Sequence, residues 1–409
     1  MHVLLIHQMF IPPDQAGGTR HYEIATRLVE RGDRVSVVAS DLDYPTNTRY
    51  PGCRGLVTRQ DVDGVHVFRA YTYPSVHRNH IWRGVSFLSY AATSLLAVFQ
   101  VKKIDLVMGT TPPIFQAFSA WMVAALRRRP FLLEVRDLWP EFAIDIGLLK
   151  NTVLIALLRW LEGFLYARAR HIVVNSPAYR GYLLEKGISA EKITIIPNGV
   201  DPNMFDPSAD GCEIRNQFHL DGKFVVTYAG ALGLAQDLGT ILRAASRLRD
   251  QSDVHFLFVG DGMERGRLEG QARELGLSNI TFTGSHPKSQ MAGFLAASDA
   301  CVATLKNIRM FRTTYPNKVF DYMAAARPTI LGIDGVIRQV VEAAGGGIFV
   351  SPGDDEALAE AVRTLKDNRP MAEAMGRAAR EYVVAHFHRD QQAKQFADLV
   401  ARLTTKGQV

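Results

Sequence analysis

Two doubly wound α/β domains are the architecture this sequence predicts, and three observations predict it. At 409 residues the chain is longer than one hydrophobic core usually organises. Short β-branched runs bounded by Gly, Pro, Asp and Asn alternate with helical stretches throughout, the βαβ signature of parallel sheets covered on both faces. The alternation stops at the Pro-, Asn-, Asp- and Gly-rich segment IPNGVDPNMFDP (196–207) and then restarts, as it would across an interdomain linker.

In the first half, strands are expected at 3–7, 34–39, 65–69, 106–109, 131–135, 172–175 and 193–196; in the second, at 224–229, 255–259, 280–283, 300–303, 329–331 and 347–350. Residues 371–403 read as helical. The expected domains are 1–205 and 206–385, with a terminal segment 386–409 crossing back to the first domain. Open parallel sheets bind ligands beyond the carboxyl ends of their strands, so two such sheets side by side predict a two-substrate enzyme working in a central cleft.

An apolar share of 47% with 22% charged residues excludes a disordered chain. Cys53, Cys212 and Cys301 are far apart and form no CxxC pair, which argues against a disulfide framework or a cysteine zinc site. The opening MHVLLIHQMF has no basic stretch ahead of its apolar run, so it reads as a first buried strand, and a cytoplasmic location is expected. The formal net charge of +6 lies wholly in the first half: residues 1–205 hold 23 Lys+Arg against 17 Asp+Glu, the remainder 24 against 24. A basic half can serve a nucleic acid, an anionic membrane surface or a phosphorylated substrate, and so small a surplus does not choose among them. The basic residues form no aromatic-interleaved stripe and no reading module, so no nucleic-acid partner is expected.

Gly17 and Gly18 follow the first strand and precede a helical pattern at about 19–31; Gly230 and Gly233 hold the same place in the second half, before a helix near 236 or 237. Backbone amides at a glycine turn, backed by a helix start, suit a phosphate; a plain turn is the alternative. Neither loop is GxGxxG or GxxxxGK[ST], which speaks against a dinucleotide dehydrogenase or a P-loop enzyme. FVGDGMERGRL ends the next strand at Gly260, Asp261 and Gly262, with Arg265 following, and is either a nucleotide-approaching loop or a tight turn. RTTYPNKVFDYMAAARPTI (312–330) is the most informative segment. Pro316 at the first helical position can open a helix whose first-turn amides take an anion, Lys318 adds a cation, and Asp321 one turn on fits a ribose diol. The alternative makes Lys318 and Asp321 solvated residues of an ordinary turn.

In this order and spacing, the GG loop, IPNGVD, VGDGxxxxxL, the FTG strand end and PNKVFDYMAAARP resemble the retaining two-domain glycosyltransferases called GT-B, family 4, over essentially the whole chain. YAGALGLAQDL and EVRDLWPE look most like a bacterial branch that builds polysaccharides and O antigens, including transferases that add fucosamine-type amino sugars to lipid-linked acceptors. The resemblance implies a nucleotide-diphosphate sugar, UDP-linked, as donor, held mainly in the second domain. Gly230, Leu232 and Gly233 would lie at the diphosphate, Ser285 and His286 at the base, and Asp321 on the ribose. Gly17, Gly18, Gly260, Asp261, Gly262, Arg265, Arg312, Thr313, Pro316 and Asn317 complete the expected donor set. The resemblance also implies retention of configuration, with the departing phosphate oxygen taking the acceptor proton. With no DxD-like pair placed to hold a diphosphate, neither a metal nor a cofactor is expected.

The sequence departs from the family pattern in three places. Family members carry two acidic residues eight positions apart; Asp321 matches the second, but Thr313 stands at the first. Many carry a lysine where Gln236 stands, after an upstream arginine that is also missing. Lys318, Arg312, Arg265 and the glycine-loop amides are the candidates to offset leaving-group charge instead. In EVRDLWPE, Arg136 and Asp137 occupy a loop where many members place a histidine beside the sugar. They either form a structural turn, or Asp137, with Glu141 nearby, orients the acceptor hydroxyl or the donor sugar. The expected catalytic residues are therefore Asp137, Arg136, Glu141 and Lys318.

Residues 81–99, IWRGVSFLSYAATSLLAVF, are of spanning length, but Arg83, Gly84 and several Ser and Thr argue against a membrane span. A buried helix or an interfacial one remains. The interfacial reading is favoured, with Arg78, Arg83, Lys102, Lys103 and the Arg127, Arg128, Arg129 run meeting anionic headgroups. Enzymes similar to this one act on polyprenyl-diphosphate-linked sugars at the inner face of the cytoplasmic membrane. The alternative activity is a sugar-nucleotide 2-epimerase of the same two-domain shape, which needs carboxylates and a histidine around the sugar and no acceptor.

Overall fold

The computed structural model describes residues 1–43, 47–74 and 80–405; Arg78, one of the expected headgroup contacts, lies outside them. The chain forms two compact units, Met1–Pro12 with Thr19–Pro197 and Asp390–Val409, and Pro13–Gly18 with Asn198–Arg389.

Unit 1 holds an eight-stranded sheet in the order β3-β4-β2-β1-β5-β6-β7-β8. The strands are β1 His2–Ile6, β2 Arg34–Ser40, β3 Val57–Val62, β4 Val65–Ala70, β5 Leu106–Thr111, β6 Phe131–Val135, β7 His171–Val174 and β8 Ile193–Ile195. All neighbours run parallel except β3 and β4. Strand β3 is an addition to the sequence expectation. Its VTRQDV is half-buried at best, because an edge strand needs no continuous apolar run. The helices are α1 Arg20–Glu30, α2 His80–Val98, α3 Ile114–Arg127, α4 Glu141–Asp145, α5 Thr152–Arg168 and α6 Pro177–Glu185. One buried cluster joins Val3, Leu5, Val37 and Leu132 of the sheet, Ile24 and Leu28 of α1, and Phe396, Ala397 and Val400 near the chain's end.

Unit 2 holds a wholly parallel six-stranded sheet, β11-β10-β9-β12-β13-β14. Its strands are β9 Phe224–Ala229, β10 Val254–Val259, β11 Ile280–Gly284, β12 Ala300–Thr304, β13 Thr329–Gly332 and β14 Gly347–Phe349. The helices are α7 Cys212–Gln217, α8 Leu238–Arg247, α9 Arg265–Glu274, α10 Met291–Ala296, α11 Asn317–Ala324, α12 Val336–Ala343, α13 Asp355–Asp367 and α14 Arg369–His386; α15 Arg389–Thr405 then returns to unit 1. The strand order reverses at β9, flanked by β10 and β12, and such a switch point opens a crevice for ligands at the strands' carboxyl ends.

The unit boundaries fall at 197/198 and 389/390, not at 205/206 and 385/386. The reason is local: Val200 N donates to Phe387 O (3.1 Å), and Arg389 donates through its backbone to Val200 O (2.9 Å) and through Nη2 to Gly199 O (2.5 Å). These bonds tie the linker to the end of α14. No helix among the described residues is long and apolar enough to cross a membrane.

Candidate functional site

In unit 2 the loops that leave β9, β10 and β11 close on one another. Gly230 N donates to Val259 O (2.8 Å), Leu232 N to Asp261 O (2.9 Å) and Gly260 N to Gly284 O (2.8 Å). Glycine is required at Gly260, where φ is +145° and a Cβ would lie 2.0 Å from Gly230 O. Gly230, at φ +147°, leaves room for Lys318, whose Nζ would meet a Cβ there at 3.0 Å. A Cβ on Gly262 would lie 2.5 Å from Leu232 O. After Gly233 comes a single 3-10 turn, Leu234–Gln236; Asp237 is left-handed, and α8 begins only at Leu238.

Helix α11 is pinned to this loop set. The Tyr322 hydroxyl accepts from Ala229 N (2.8 Å) and donates to Ala229 O (3.1 Å). Pro316 is the cap of α11 and not its first residue: its ψ of 124° is extended, and its carbonyl accepts from Val319 N (3.1 Å), so the helix starts at Asn317. Lys318 turns inward, donating to the Tyr228 hydroxyl (2.5 Å) and to Gln236 Oε1 (2.9 Å), with Nζ 3.9 Å from the Tyr228 ring centroid. Tyr228 donates in turn to Ala231 O (2.8 Å). Both partners of the ammonium are neutral, and burial pulls its pKa down to about 7. Lys318 thus touches Gln236, the residue at which the resemblance expects a lysine.

The other expected donor residues divide by what already holds them. Asp321 is not a solvated carboxylate; it forms an ion pair with Lys288, on the loop after β11. Arg265 is held by Asp261 (2.9 Å) and Glu269 (2.7 Å), and the exposed Arg312 faces Asp334 (3.8 Å), so two of the three candidate phosphate cations already have carboxylate partners. Thr313 Oγ1 donates to Met310 O (2.5 Å). Ser285 is exposed; His286 packs on Phe294 and shares a hydrogen bond with Gln290 (3.1 Å), and its buried Nε2 has no partner among the described residues. Gly17 and Gly18 group with this unit and not with the first. Gln15 O accepts from Lys288 N (3.0 Å), and a Cβ on Gly18 would sit 3.8 Å from Asn317 Nδ2.

In unit 1 the carboxyl ends of β1 and β6 gather a second set. Glu134, in the otherwise apolar FLLEV strand, takes Arg20 Nε (3.0 Å) and His21 Nε2 (2.6 Å), all three buried. Burial pushes the Glu134 carboxyl up, but His21, Arg20 and Arg136 outweigh it and hold it well below the usual range. The His7 ring lies 4.2 Å from that of His21; its Nδ1 has no partner among the described residues, and burial, with His21 and Arg136, keeps it neutral. Arg136 donates to Thr110 Oγ1 (2.9 Å) and Pro112 O (3.3 Å). Among the described residues Asp137 has no hydrogen-bond or ion-pair partner for its carboxylate, and burial, opposed by Arg136, raises its pKa to about 6. Glu141 turns to α5 instead, in a two-pronged pair with Arg159 (2.8 and 2.9 Å), whose hydrogen bond lowers its pKa. Sequence reasoning missed His7, Arg20, His21 and Glu134. The available signal was a lone carboxylate in an apolar strand, which is buried only when paired. Among the described residues no group of three or more His, Cys, Asp or Glu is placed to hold a metal ion.

Residues 16–199 match the glycosyl transferase 4-like domain, and residues 212–382 match the glycosyl transferases group 1 domain. The chain is a glycosyltransferase. WcaI of Escherichia coli (strain K12), a glycosyl transferase named for colanic acid biosynthesis, is 24% identical to it over 375 residues, 88% of this chain and 91% of that one. The lipopolysaccharide core biosynthesis glycosyltransferase LpsD of Rhizobium meliloti (strain 1021) is 29% identical over 184 residues, 45% of this chain and 51% of that one. Among solved structures, sucrose-phosphate synthase from Thermosynechococcus elongatus superposes with a TM-score of 0.78 at 20% identity, over 99% of both chains. Anabaena Alr3699/HepE in complex with UDP-glucose does so at 0.74 and 18%, over 98% of this chain and 100% of that one. The glycosyltransferase therefore has the GT-B fold, with two Rossmann-like α/β domains.

Proposed function

We propose that this glycosyltransferase retains configuration and moves a sugar from a nucleotide-diphosphate donor, UDP-linked, to a polyprenyl-diphosphate-linked acceptor in the synthesis of cell-surface polysaccharide or O antigen. An N-acetylated amino or deoxy sugar is the donor class that the resemblance favours. The enzyme works at the inner face of the cytoplasmic membrane. The names of WcaI and LpsD and the UDP-glucose bound to HepE support this reading. The observation that carries it is Lys318: a cation set under a glycine loop, with only neutral hydrogen-bond partners, at the switch point of a parallel sheet.

As the bond from sugar to phosphate breaks, negative charge grows on the diphosphate, and Lys318 and the 230–233 amides are the groups that meet it. The acceptor hydroxyl attacks the face the phosphate leaves and passes its proton to a phosphate oxygen. Asp137, mostly ionised at neutral pH, orients that hydroxyl or the sugar. Asp321, oriented by Lys288, takes the ribose diol, and His286 offers its unpartnered Nε2 to the base. Arg265 and Arg312 contribute long-range field more than direct clamps, because carboxylates already balance them.

Thermal-shift and calorimetric titrations with UDP, GDP, ADP, NAD and several UDP-sugars, without metal, test the donor site. Selective stabilisation by UDP and its sugars is expected; indifference to all of them contradicts the reading. Conversion of a UDP-sugar with no acceptor present would point to the epimerase instead.

A further inference from the structure

The outward faces of α2, α3 and α5 are apolar, where helices on the surface of a soluble domain turn polar side chains to water. Along α2, Trp82, Val85, Leu88 and Leu96 are exposed at the spacing of one helical stripe, and Phe99 just beyond the helix is 73% exposed. On α5, Val153, Leu154, Leu157 and Trp160 are exposed, Val153 at 77% and Trp160 at 61%. Helix α3 packs against both neighbours. Its Trp121 meets Phe164 of α5 edge-on at 4.7 Å, and Phe164 stacks on Trp160 at 5.6 Å, so the surface is continuous from one helix to the next. Patches of this kind mark interaction sites, unlike apolar side chains scattered singly.

The charges on the same face have one sign. The three helices contain a single carboxylate, Glu162, and it is buried against Tyr166 and Lys186. Lys102 and Lys103 after α2, and Arg127, Arg128 and Arg129 at the end of α3, are exposed at the rim. A protein partner or a second copy of this chain would need acidic groups to answer them, and a second copy would bring the same basic, carboxylate-free face.

We propose that the joined outer face of α2, α3 and α5 docks on an anionic lipid bilayer, with the exposed apolar side chains at the acyl boundary and the basic rim on lipid phosphates. Trp82 and Trp160 sit at headgroup depth, where indole rings are favoured. The proposal rests on the lipid-linked acceptor reading above and widens the apolar contact from α2, with the basic residues the sequence already placed beside it, across α3 to α5.

Flotation of the full chain with phosphatidylcholine vesicles, with and without phosphatidylglycerol, tests it. The wild type should float with the anionic vesicles only. Leu157→Ser with Trp160→Ser, and separately Arg128→Glu with Arg129→Glu, should each lower the bound fraction roughly tenfold or more. These positions are exposed, so the melting temperature and UDP affinity should not move, and UDP binding without vesicles reports on the donor site independently of docking. Equal flotation by wild type and variants, or no flotation by the wild type, overturns the proposal. So does a dimer in sedimentation that the same substitutions dissociate, because a second copy would then cover the face.

Discussion

Unit 1 and unit 2 each bury charge at the carboxyl edge of a parallel sheet, and they treat it in opposite ways. Around Glu134 every charge has an answer: Arg20 and His21 take the carboxylate, and the remaining Arg20 donors reach Ile196 O (2.8 Å) and Pro197 O (2.7 Å). Among the described residues Lys318 has a phenol and an amide oxygen, and no carboxylate, for its ammonium. A closed network of this kind holds structure together, whereas a cation set among neutral groups lacks a counterion that a ligand can supply. Mutation therefore separates the two. Glu134→Gln leaves Arg20 uncompensated and should cost about 3–5 kcal/mol of stability, read as a lower denaturation midpoint in urea. Lys318→Met should cost no stability, yet lower kcat/KM by on the order of 10²–10³. If the two variants unfold alike, the contrast between the regions is lost.

Smaller effects sharpen the picture. Asp321→Ala should weaken UDP binding by about 1–3 kcal/mol in calorimetry, and unchanged affinity would remove the ribose role. Asp137→Asn should spare UDP affinity while lowering turnover. In the wild type, kcat should fall as pH drops below about 6, as the carboxylate takes up its proton, and the variant should lose that limb. The smallest effect lies in stability against pH. Above about 7 the folded protein holds Lys318 neutral, while an unfolded lysine stays protonated to about 10.5. The unfolded chain then binds more protons, so the ligand-free wild type should gain stability relative to Lys318→Met as pH rises through that window.

Strands buried on both faces were legible because burial leaves a nearly continuous apolar run, broken only by Glu134 in Phe131–Val135 and Thr227 in Phe224–Ala229, both strands found where expected. Strand β3 was not, because a half-exposed edge tolerates Arg59, Gln60 and Asp61. At the candidate site the residue types were legible and their partners were not. Lys318 meets Gln236, and Lys288 meets Asp321, across separations that only the folded sheet closes. Pro316 followed the same limit: proline sets φ, but whether ψ is helical depends on the chain around it, and here it is extended. Glu141 lies near Asp137 in sequence, but helix α5 brings Arg159 to its carboxylate, a pairing that spacing along the chain does not reveal.

On the proposed function the donor diphosphate is the counterion Lys318 lacks. Calorimetry of UDP binding to wild type and Lys318→Met, at pH 8 in two buffers of different protonation enthalpy, tests it directly. Proton uptake is expected on binding to the wild type, because the diphosphate restores the charge on Lys318, together with weaker binding and no uptake in the variant. Equal affinity and equal proton exchange in the two proteins would contradict it.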